Sequence, residues 1–180
     1  MRIIAGEWRG RKIKAPAGDT TRPTADRTRE TLFSMLNSRL GGFEDLSVMD
    51  LFAGSGALGL EALSRGAARC IFVEQDRNAV DALQGNIAAL GAKSADIRAQ
   101  SVLSLGTAVK PYDLVMMDPP YNTGAGGVAL DKLARQGWIG SGSWISVETA
   151  RGEDLLAKGF EVDTVRNVGK AKLHILRLHA

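Results

Sequence analysis

Four consecutive residues, Asp118-Pro119-Pro120-Tyr121, carry the side chains best suited to chemistry in this chain. They follow an apolar run at 112–117 that is typical of a buried strand. A carboxylate and the carbonyls of a turn stiffened by proline can accept hydrogen bonds from an exocyclic amine, and a tyrosine ring can stack on the ring that bears this amine. In isolation, the same residues could also form only a tight turn at the end of a strand.

A glycine-rich loop about sixty residues earlier supplies the second half of the pattern. Gly54-Ser55-Gly56 and Gly59 match the spacing G-x-G-x-x-G after an apolar strand, where the chain turns tightly and a ligand can approach the backbone. Glu74 comes twenty residues after Gly54, at the end of the next predicted strand, where a carboxylate can bind both ribose hydroxyls. This loop is equally compatible with a dinucleotide and with S-adenosylmethionine.

Two carboxylates favour S-adenosylmethionine. Asp50 lies just before the loop, where it would attract the ammonium group of a methionine moiety and repel a pyrophosphate. Asp118 ends the fourth predicted strand, beside the place where open α/β sheets bind ligands. A nicotinamide-dependent oxidoreductase has no use for an amine-binding motif there, and it stays the alternative enzyme class.

The intervening sequence alternates between strand and helix patterns, which predicts an α/β fold with a parallel sheet covered on both faces. A further pair of alternating stretches, at 160–166 and 172–178, predicts a final antiparallel pair. Before the sheet, an amphipathic helix is expected to begin after a Thr24 cap and to stop at Gly41. The predicted strands are 47–52, 69–74, 95–100, 112–117 and 143–148, and the predicted helices among them cover 57–65, 77–90 and 128–135.

The N-terminal region is basic and reads as a short β-hairpin. Residues 1–40 contain nine Lys or Arg and four Asp or Glu, a local net charge of +5, whereas the other 140 residues sum to −2. A basic face on a nearly neutral body fits a polyanionic partner, and an ordinary solvated surface is the equal alternative. Trp8 could stack on a base or could anchor the hairpin. The candidate RNA contacts are Trp8, Arg9, Arg11, Lys12, Lys14 and Arg27.

Composition limits the remaining possibilities. A chain of 180 residues is the size of one domain with a full core. No apolar run approaches the roughly 18 residues of a membrane span. The single Cys70 lies in an apolar strand and has no internal disulfide partner, so we expect a reducing, cytoplasmic setting. No Cys and His spacing typical of a metal site is present in the sequence.

Together these segments resemble one family. The stretches 50–66, 74–77 and 118–121, with 22–33 and the opening 2–11, closely resemble the bacterial 16S rRNA guanine-N2 methyltransferases of the RsmD type. The resemblance covers nearly the whole chain and is weakest after Tyr121. Many methyltransferases share the glycine and Asp118 motifs, whereas the segment 22–33 is much more particular to this family.

The resemblance implies a fold, a reaction and partners. The fold is a Rossmann-like class I S-adenosylmethionine-dependent methyltransferase domain at 21–180, with a mostly parallel seven-stranded sheet and a C-terminal antiparallel strand, after an N-terminal basic β-hairpin extension at 1–20. The reaction is methylation of the exocyclic N2 amine of guanine 966 in 16S rRNA. It would occur during maturation of the 30S subunit, on assembled or nearly assembled particles, by a cytoplasmic monomer.

The resemblance also implies roles for single residues. Asp118 Oδ and the Pro119 carbonyl would accept the two N–H groups of guanine N2, while Tyr121 stacks on a base that is turned out of its helix or loop. The proton would leave to Asp118 or to solvent. The catalytic set is Asp118, Pro119, Pro120 and Tyr121. The cofactor set is Asp50, Ala53, Gly54, Ser55 and Gly56 for the methionine part, Glu74 for the ribose, and Gln75, Gln100 and Ser101 for the adenine.

Two further activities stay open at the level of the sequence. The Asp118 motif does not by itself separate guanine from adenine, so an adenine-N6 methyltransferase acting on other RNA or on DNA is one alternative. A catalytically silent rRNA-binding assembly factor is the other.

Overall fold

The computed structural model of the protein describes residues 1–18 and 23–180, with only the backbone of residues 23 and 24. Within these ranges it contains four α-helices and seven β-strands. The helices are α1 (Pro23–Leu40), α2 (Ala57–Ser64), α3 (Arg77–Leu90) and α4 (Ala125–Arg135). The strands are β1 (Ser47–Leu51), β2 (Arg69–Val73), β3 (Ala95–Arg98), β4 (Leu114–Met117), β5 (Trp144–Ala150), β6 (Phe160–Val168) and β7 (Ala171–Leu178).

The seven strands form one sheet in the order β3-β2-β1-β4-β5-β7-β6. The first five are parallel, and β7 is antiparallel to both β5 and β6. A dinucleotide-binding Rossmann sheet instead has six strands in the order 3-2-1-4-5-6. The inserted antiparallel strand therefore confirms the predicted class I methyltransferase fold and argues against the oxidoreductase alternative.

Two apolar clusters cover the faces of this sheet. Val48, Phe72 and Met116 face a cluster with α1, α2 and α3, whereas Met49 and Val115 face a cluster with α4. Successive side chains of a strand point to opposite faces, so residues that alternate along β1 and β4 divide between the two layers. Asp50 therefore belongs to the face that carries α1 and α2.

The N-terminal hairpin is present in a minimal form. One isolated antiparallel bridge joins Arg2 and Lys12. Three backbone hydrogen bonds join the two arms of the hairpin, since the N–H groups of Ile3, Gly10 and Ile13 donate to the carbonyls of Arg11, Ile3 and Met1, each at 2.9 Å. The N–H groups of Ile4 and Ala5 instead donate to the Glu61 carboxylate on α2, at 2.8 and 3.1 Å. The predicted boundary between residues 20 and 21 lies outside the described residues.

Most predicted elements are present with small shifts at their ends. The prediction of Thr24 as a helix cap was wrong, because α1 already begins at Pro23. Proline suits this first position, where its missing N–H removes no helical hydrogen bond. Asp76 caps α3 as expected, and its carboxylate accepts from the Ala79 N–H at 2.9 Å. None of the helices in the described ranges is long and apolar enough to span a membrane.

Candidate active site

The alternation of the strands brings three carboxylates to one edge and one face of the sheet. Asp50 on β1 lies opposite Met116 of β4, which lies opposite Ser146 of β5. Asp118 and Glu148 each come two residues after that pair, so they share the face of Asp50. Asp50 and Asp118 lie at the carboxyl ends of β1 and β4, and Glu148 lies just past the last residue of β5 that pairs with β4. Open α/β sheets bind ligands at this edge.

Two neighbouring cavities open at this edge, and Phe52, Asp118 and Tyr121 line both. The first, which we name the central cavity, has a volume of about 670 Å³ and is lined by all three carboxylates. The second, the side cavity, has a volume of about 490 Å³ and lies beside Glu74. The side cavity contains the other predicted adenosine contacts, Gln75, Gln100 and Ser101. The central cavity contains the predicted methionine contacts Asp50, Ala53, Gly54 and Ser55.

The three glycines of the loop have different tasks. A Cβ on Gly56 would lie 2.3 Å from Leu83 Cδ1, and a Cβ on Gly59 would lie 2.3 Å from Phe72 Cε1. These two positions therefore permit α2 to pack closely on α3 and β2. A Cβ on Gly54 would meet no atom within 4 Å. Gly54 thus leaves open space beside the central cavity, as expected where a ligand approaches the backbone.

Asp50 is a buried carboxyl group, and only one of its two oxygens accepts a hydrogen bond. Its Oδ2 accepts a hydrogen bond from the Gly59 N–H at 2.8 Å, whereas Oδ1 is buried with no hydrogen-bond partner in the described residues. Burial raises the pKa of Asp50 to about 8, the Gly59 hydrogen bond opposes this rise, and the charge of Glu74 adds to it. A cation beside Oδ1 would stabilise the ionised form.

Glu74 is held in place by two backbone amides. Its Oε1 accepts from the Gly54 N–H and its Oε2 from the Asp76 N–H, both at 2.8 Å. The carboxylate therefore joins the glycine loop to the start of α3 and still faces the side cavity. Because each carboxylate oxygen has a second acceptor position, these bonds leave Glu74 able to bind a diol.

Asp118 lies where the two cavities meet. Its side chain is exposed to them, and its backbone N–H donates to the Leu51 carbonyl at 3.4 Å. Loss of solvation among the surrounding protein atoms raises the pKa of Asp118 well above its usual range, and the charge and hydrogen bond of Glu148 raise it further. Pro119 is buried behind this carboxyl group, and Pro120 is exposed.

Tyr121 is fixed by Glu148. The Tyr121 hydroxyl donates to Glu148 Oε2 at 2.7 Å, and its ring remains 41% exposed. Desolvation, followed by this hydrogen bond, raises the pKa of the hydroxyl. The ring is thus oriented while keeping a free face for stacking. Glu148 is not among the site residues predicted from the sequence, since no motif marks it; the available signal was its place at the end of a predicted strand.

The turn after Tyr121 is also held in place. Asn122 adopts a left-handed backbone conformation with φ of 58°, and the Thr123 hydroxyl donates to the Pro120 carbonyl at 2.8 Å. The Glu153 carboxylate accepts from the backbone N–H groups of Asn122 and Gly124, and these bonds lower its pKa. Hydrogen bonds therefore fix the turn that follows Asp118–Tyr121.

Of the predicted RNA-binding residues, those at 8–14 lie along α2 and α3, and Arg27 lies on α1. Arg9, Arg11, Lys12, Lys14 and Arg27 are exposed. Trp8 is half-buried, and its side chain packs against the apolar cluster, while its backbone N–H donates to Ser64 Oγ at 3.0 Å; both contacts anchor the segment on α2.

Buried Asn86 on α3 links this basic segment to the glycine loop. Its side chain bonds both the N–H and the carbonyl of Lys14 at 2.9 Å and donates to the Ser55 carbonyl at 3.0 Å. Sequence reasoning missed Asn86, although its spacing from Leu83 and Leu90 places it on the buried side of α3. Among the described residues, no cluster of three or more His, Cys, Asp or Glu side chains is arranged to hold a metal ion.

Known proteins share both the sequence and the fold. A family described as conserved hypothetical protein 95 matches residues 1–177. Ribosomal RNA small subunit methyltransferase D of Escherichia coli is 41% identical over 150 residues, which cover 83% of this chain and 74% of that protein. The Haemophilus influenzae protein of the same name is 37% identical over 161 residues, covering 87% and 82%. The solved structure of yhhF from Escherichia coli is 35% identical, with a TM-score of 0.85 over 100% of this chain and 98% of that one. The chain therefore belongs to the conserved hypothetical protein 95 family, which includes the RsmD-type methyltransferases.

Proposed function

We propose that this protein transfers a methyl group from S-adenosylmethionine to the exocyclic N2 amine of a guanine in 16S rRNA, at guanine 966 by analogy with its family. The observation that carries the proposal is the position of Asp118, which lines both cavities together with Tyr121. Asp50 lines the central cavity, and Glu74 lines the side cavity. The relatives named small subunit methyltransferase D support an rRNA substrate. We further propose that the protein acts as a cytoplasmic monomer on 30S particles or their late assembly intermediates.

The residues of the site fit S-adenosylmethionine. The unpartnered Oδ1 of Asp50 would pair with the ammonium group, and the open space at Gly54 would admit the methionine backbone. Glu74 would bind the ribose, while Gln75, Gln100 and Ser101 would surround the adenine. When bound there, this cofactor would supply an electrophilic methyl group.

Asp118 and Pro119 would prepare the amine. The nitrogen of guanine N2 is a weak nucleophile, because its lone pair is delocalised into the ring. The Asp118 carboxylate and the Pro119 carbonyl would accept its two N–H groups, which fixes its orientation and favours a localised lone pair. As N2 gains positive charge during the reaction, the Asp118 carboxylate would stabilise it.

The raised pKa of Asp118 also makes it a suitable acceptor for the proton that N2 must lose. Tyr121, oriented by Glu148, would stack on the base. Exposed cations of the N-terminal segment would hold the rRNA phosphates, so that binding weakens as salt rises.

Methyl transfer from labelled S-adenosylmethionine to 30S particles from a strain lacking this protein tests the proposal, with mapping of the modified nucleotide. Label on a guanine N2 of 16S rRNA is the expected result. Label on an adenine N6 would identify the alternative methyltransferase. Cofactor binding without transfer to 30S particles would favour a silent assembly factor or another nucleic acid, and failure to bind the cofactor would refute the proposal. Asp131→Asn on the exposed face of α4 is a suitable control variant.

A further inference from the structure

We propose that Glu148 selects guanine over other amine-bearing bases by accepting the N1–H of the base that Asp118 holds by its amine. This inference rests on the function proposed above. It assigns to β5 a specificity that the Asp118 motif does not provide.

The position of Glu148 suggests a ligand-binding role. It lines the central cavity beside Asp118 and Tyr121, and it follows Ser146 on the face that carries Asp50. Its Oε2 accepts the Tyr121 hydroxyl at 2.7 Å. The hydrogen bond that Glu148 shares with Asp118 requires a proton on that pair, so ionisation of Asp118 leaves Glu148 an acceptor position for another donor. Among the described residues, no Lys or Arg forms an ion pair with it. Two adjoining carboxyl groups without a cation form an acceptor-rich wall that suits a ligand with two adjacent donors.

Guanine has two such donors. Its Watson–Crick edge carries N1–H directly beside the N2 amine, so a base with N2 at Asp118 directs N1–H toward the neighbouring acceptor. Adenine bound by its N6 amine would place ring N1 at the same location, because N1 adjoins the carbon that bears the amine in both bases. Adenine N1 is an acceptor, and its lone pair would face the Glu148 carboxylate without a hydrogen bond.

A pair of bases that differ at N1 tests this contact. The two bases also differ at carbon 6, where 2-aminopurine lacks the carbonyl oxygen, so the N1 contact is measured by how far replacing Glu148 changes the preference between them. 2-Aminopurine keeps the amine at carbon 2 and has an acceptor at N1 in place of N1–H. Small subunits are reconstituted with 16S rRNA that carries guanine or 2-aminopurine at the mapped position, and methyl transfer is measured for both. A lost hydrogen bond to a charged group corresponds to about a 10- to 100-fold preference for guanine in the unmodified protein.

Glu148→Gln should reduce this preference to within a few-fold, roughly the loss of one charged hydrogen bond. Glutamine keeps an oxygen for the Tyr121 hydroxyl, and its amide can either accept from N1–H or donate to an acceptor at N1. Glu148→Asp, which retains the charge but withdraws it by one methylene, should lower the preference as well. Glu161→Gln, an exposed glutamate on β6, should leave it unchanged.

The affinity of each variant for particles with guanine and for particles with 2-aminopurine, measured without cofactor, gives a second readout. The preference for guanine in binding should change as it does in methyl transfer. Folding of each variant is checked by thermal unfolding. If Glu148→Gln and Glu148→Asp are folded and retain the full preference for guanine, the inference is wrong. If the unmodified protein methylates no guanine in particles that have never been methylated, the proposed function itself fails, which is a different outcome.

Discussion

The side chain of Asn86 forms hydrogen bonds with both the backbone N–H and the backbone carbonyl of Lys14. Its Oδ1 accepts the Lys14 N–H and its Nδ2 donates to the Lys14 carbonyl, each at 2.9 Å. The same Nδ2 donates to the Ser55 carbonyl at 3.0 Å. A single buried amide therefore ties the basic N-terminal segment to the loop that we propose binds the cofactor.

Asn86→Ala should loosen this connection. It removes three hydrogen bonds and leaves buried partners unsatisfied, so the free energy of unfolding should fall by about 2–4 kcal/mol. Urea unfolding measures this change, and limited proteolysis should cut more readily within residues 5–15. Asn78→Ala, at an exposed position of the same helix, is the control and should shift stability by less than about 0.5 kcal/mol. Equal stability of the two variants would contradict the assigned role of Asn86.

Gly56→Ala and Gly85→Ala should have opposite effects. At Gly56 the backbone is left-handed, with φ of 86°, and a Cβ would lie 2.3 Å from Leu83 Cδ1. We expect a loss of at least about 2 kcal/mol of stability and weaker cofactor binding. Gly85 lies in α3 with nothing within 4 Å of its Cβ position, so alanine there should stabilise by about 0.5–1 kcal/mol. Thermal unfolding of both variants with and without S-adenosylmethionine tests this pair, and a Gly56→Ala protein of normal stability would refute it.

The sheet and its ligand-binding edge could be predicted because they depend on local patterns. Apolar runs, glycine ends and the position of Asp118 after a strand are all written in consecutive residues. Glu148 could not be predicted in the same way, because its role depends on the register between β4 and β5, which places it beside Asp118. Asn86 was missed for a similar reason, since its partners are 72 and 31 residues away in sequence.

At the start of α1 and in the N-terminal segment, interactions outside the local sequence pattern decide the structure. Thr24 has the chemistry of a cap, but Pro23 begins the helix. Backbone hydrogen bonds join the two arms of the segment 2–14, but the N–H groups of Ile4 and Ala5 donate to Glu61, which is fully buried and ion-paired with Arg65 at 2.9 Å. The buried acidic side chain on α2 therefore fixes the start of this segment against the helix, and nothing in residues 2–14 alone indicates that contact.

Asp50 should couple cofactor binding to proton release. Its pKa is about 8 in the folded protein and 3.8 ordinarily, so at pH 7 the free protein holds a proton on this group. An ammonium group beside Oδ1 would lower that pKa, and about one proton should be released on binding. Calorimetry at pH 7 in buffers of different ionisation enthalpy measures this release. Asp50→Asn should bind more weakly and release no proton, whereas exposed Asp81→Asn should behave as the unmodified protein.

The same proton affects stability in the absence of cofactor. The folded protein binds more protons than the unfolded chain between pH 4 and 8, so the free energy of unfolding should fall as pH rises through this range. The free energy of unfolding of Asp50→Asn should depend less on pH. Toward pH 8 this variant should become more stable relative to the unmodified protein. Parallel stability curves for the two proteins would contradict the raised pKa.

Asp118→Asn should separate binding from catalysis. Asparagine keeps one acceptor oxygen but removes the charge that we propose stabilises the amine, so kcat should fall by about 100- to 1000-fold, with cofactor affinity nearly unchanged. The raised pKa of Asp118 gives a second expectation, since the protein should lose activity on acidification at a pH well above the usual range for aspartate. This acid limb should be absent from the residual activity of the variant. Turnover within a few-fold of normal would contradict the role of Asp118, and Asp131→Asn serves as the matched control.

Lys12 and Lys14 should contribute to RNA binding through charge alone. Both are exposed, and the Asn86 contact places Lys14 near the glycine loop. Arg9 instead follows Trp8, which lies near the far end of α2. We therefore expect the two lysines to lie closer to the bound base than Arg9. Each lost phosphate contact should reduce the slope of log affinity against log salt by about 0.7–0.9. Lys12→Ala with Lys14→Ala should therefore flatten the salt dependence of 30S binding by about 1.5 and weaken binding most at low salt. Lys110→Ala, in the exposed loop that precedes β4 at the opposite edge of the sheet, is the matched control and should leave the slope unchanged. An unaltered slope in the double variant would show that the rRNA binds elsewhere on the protein.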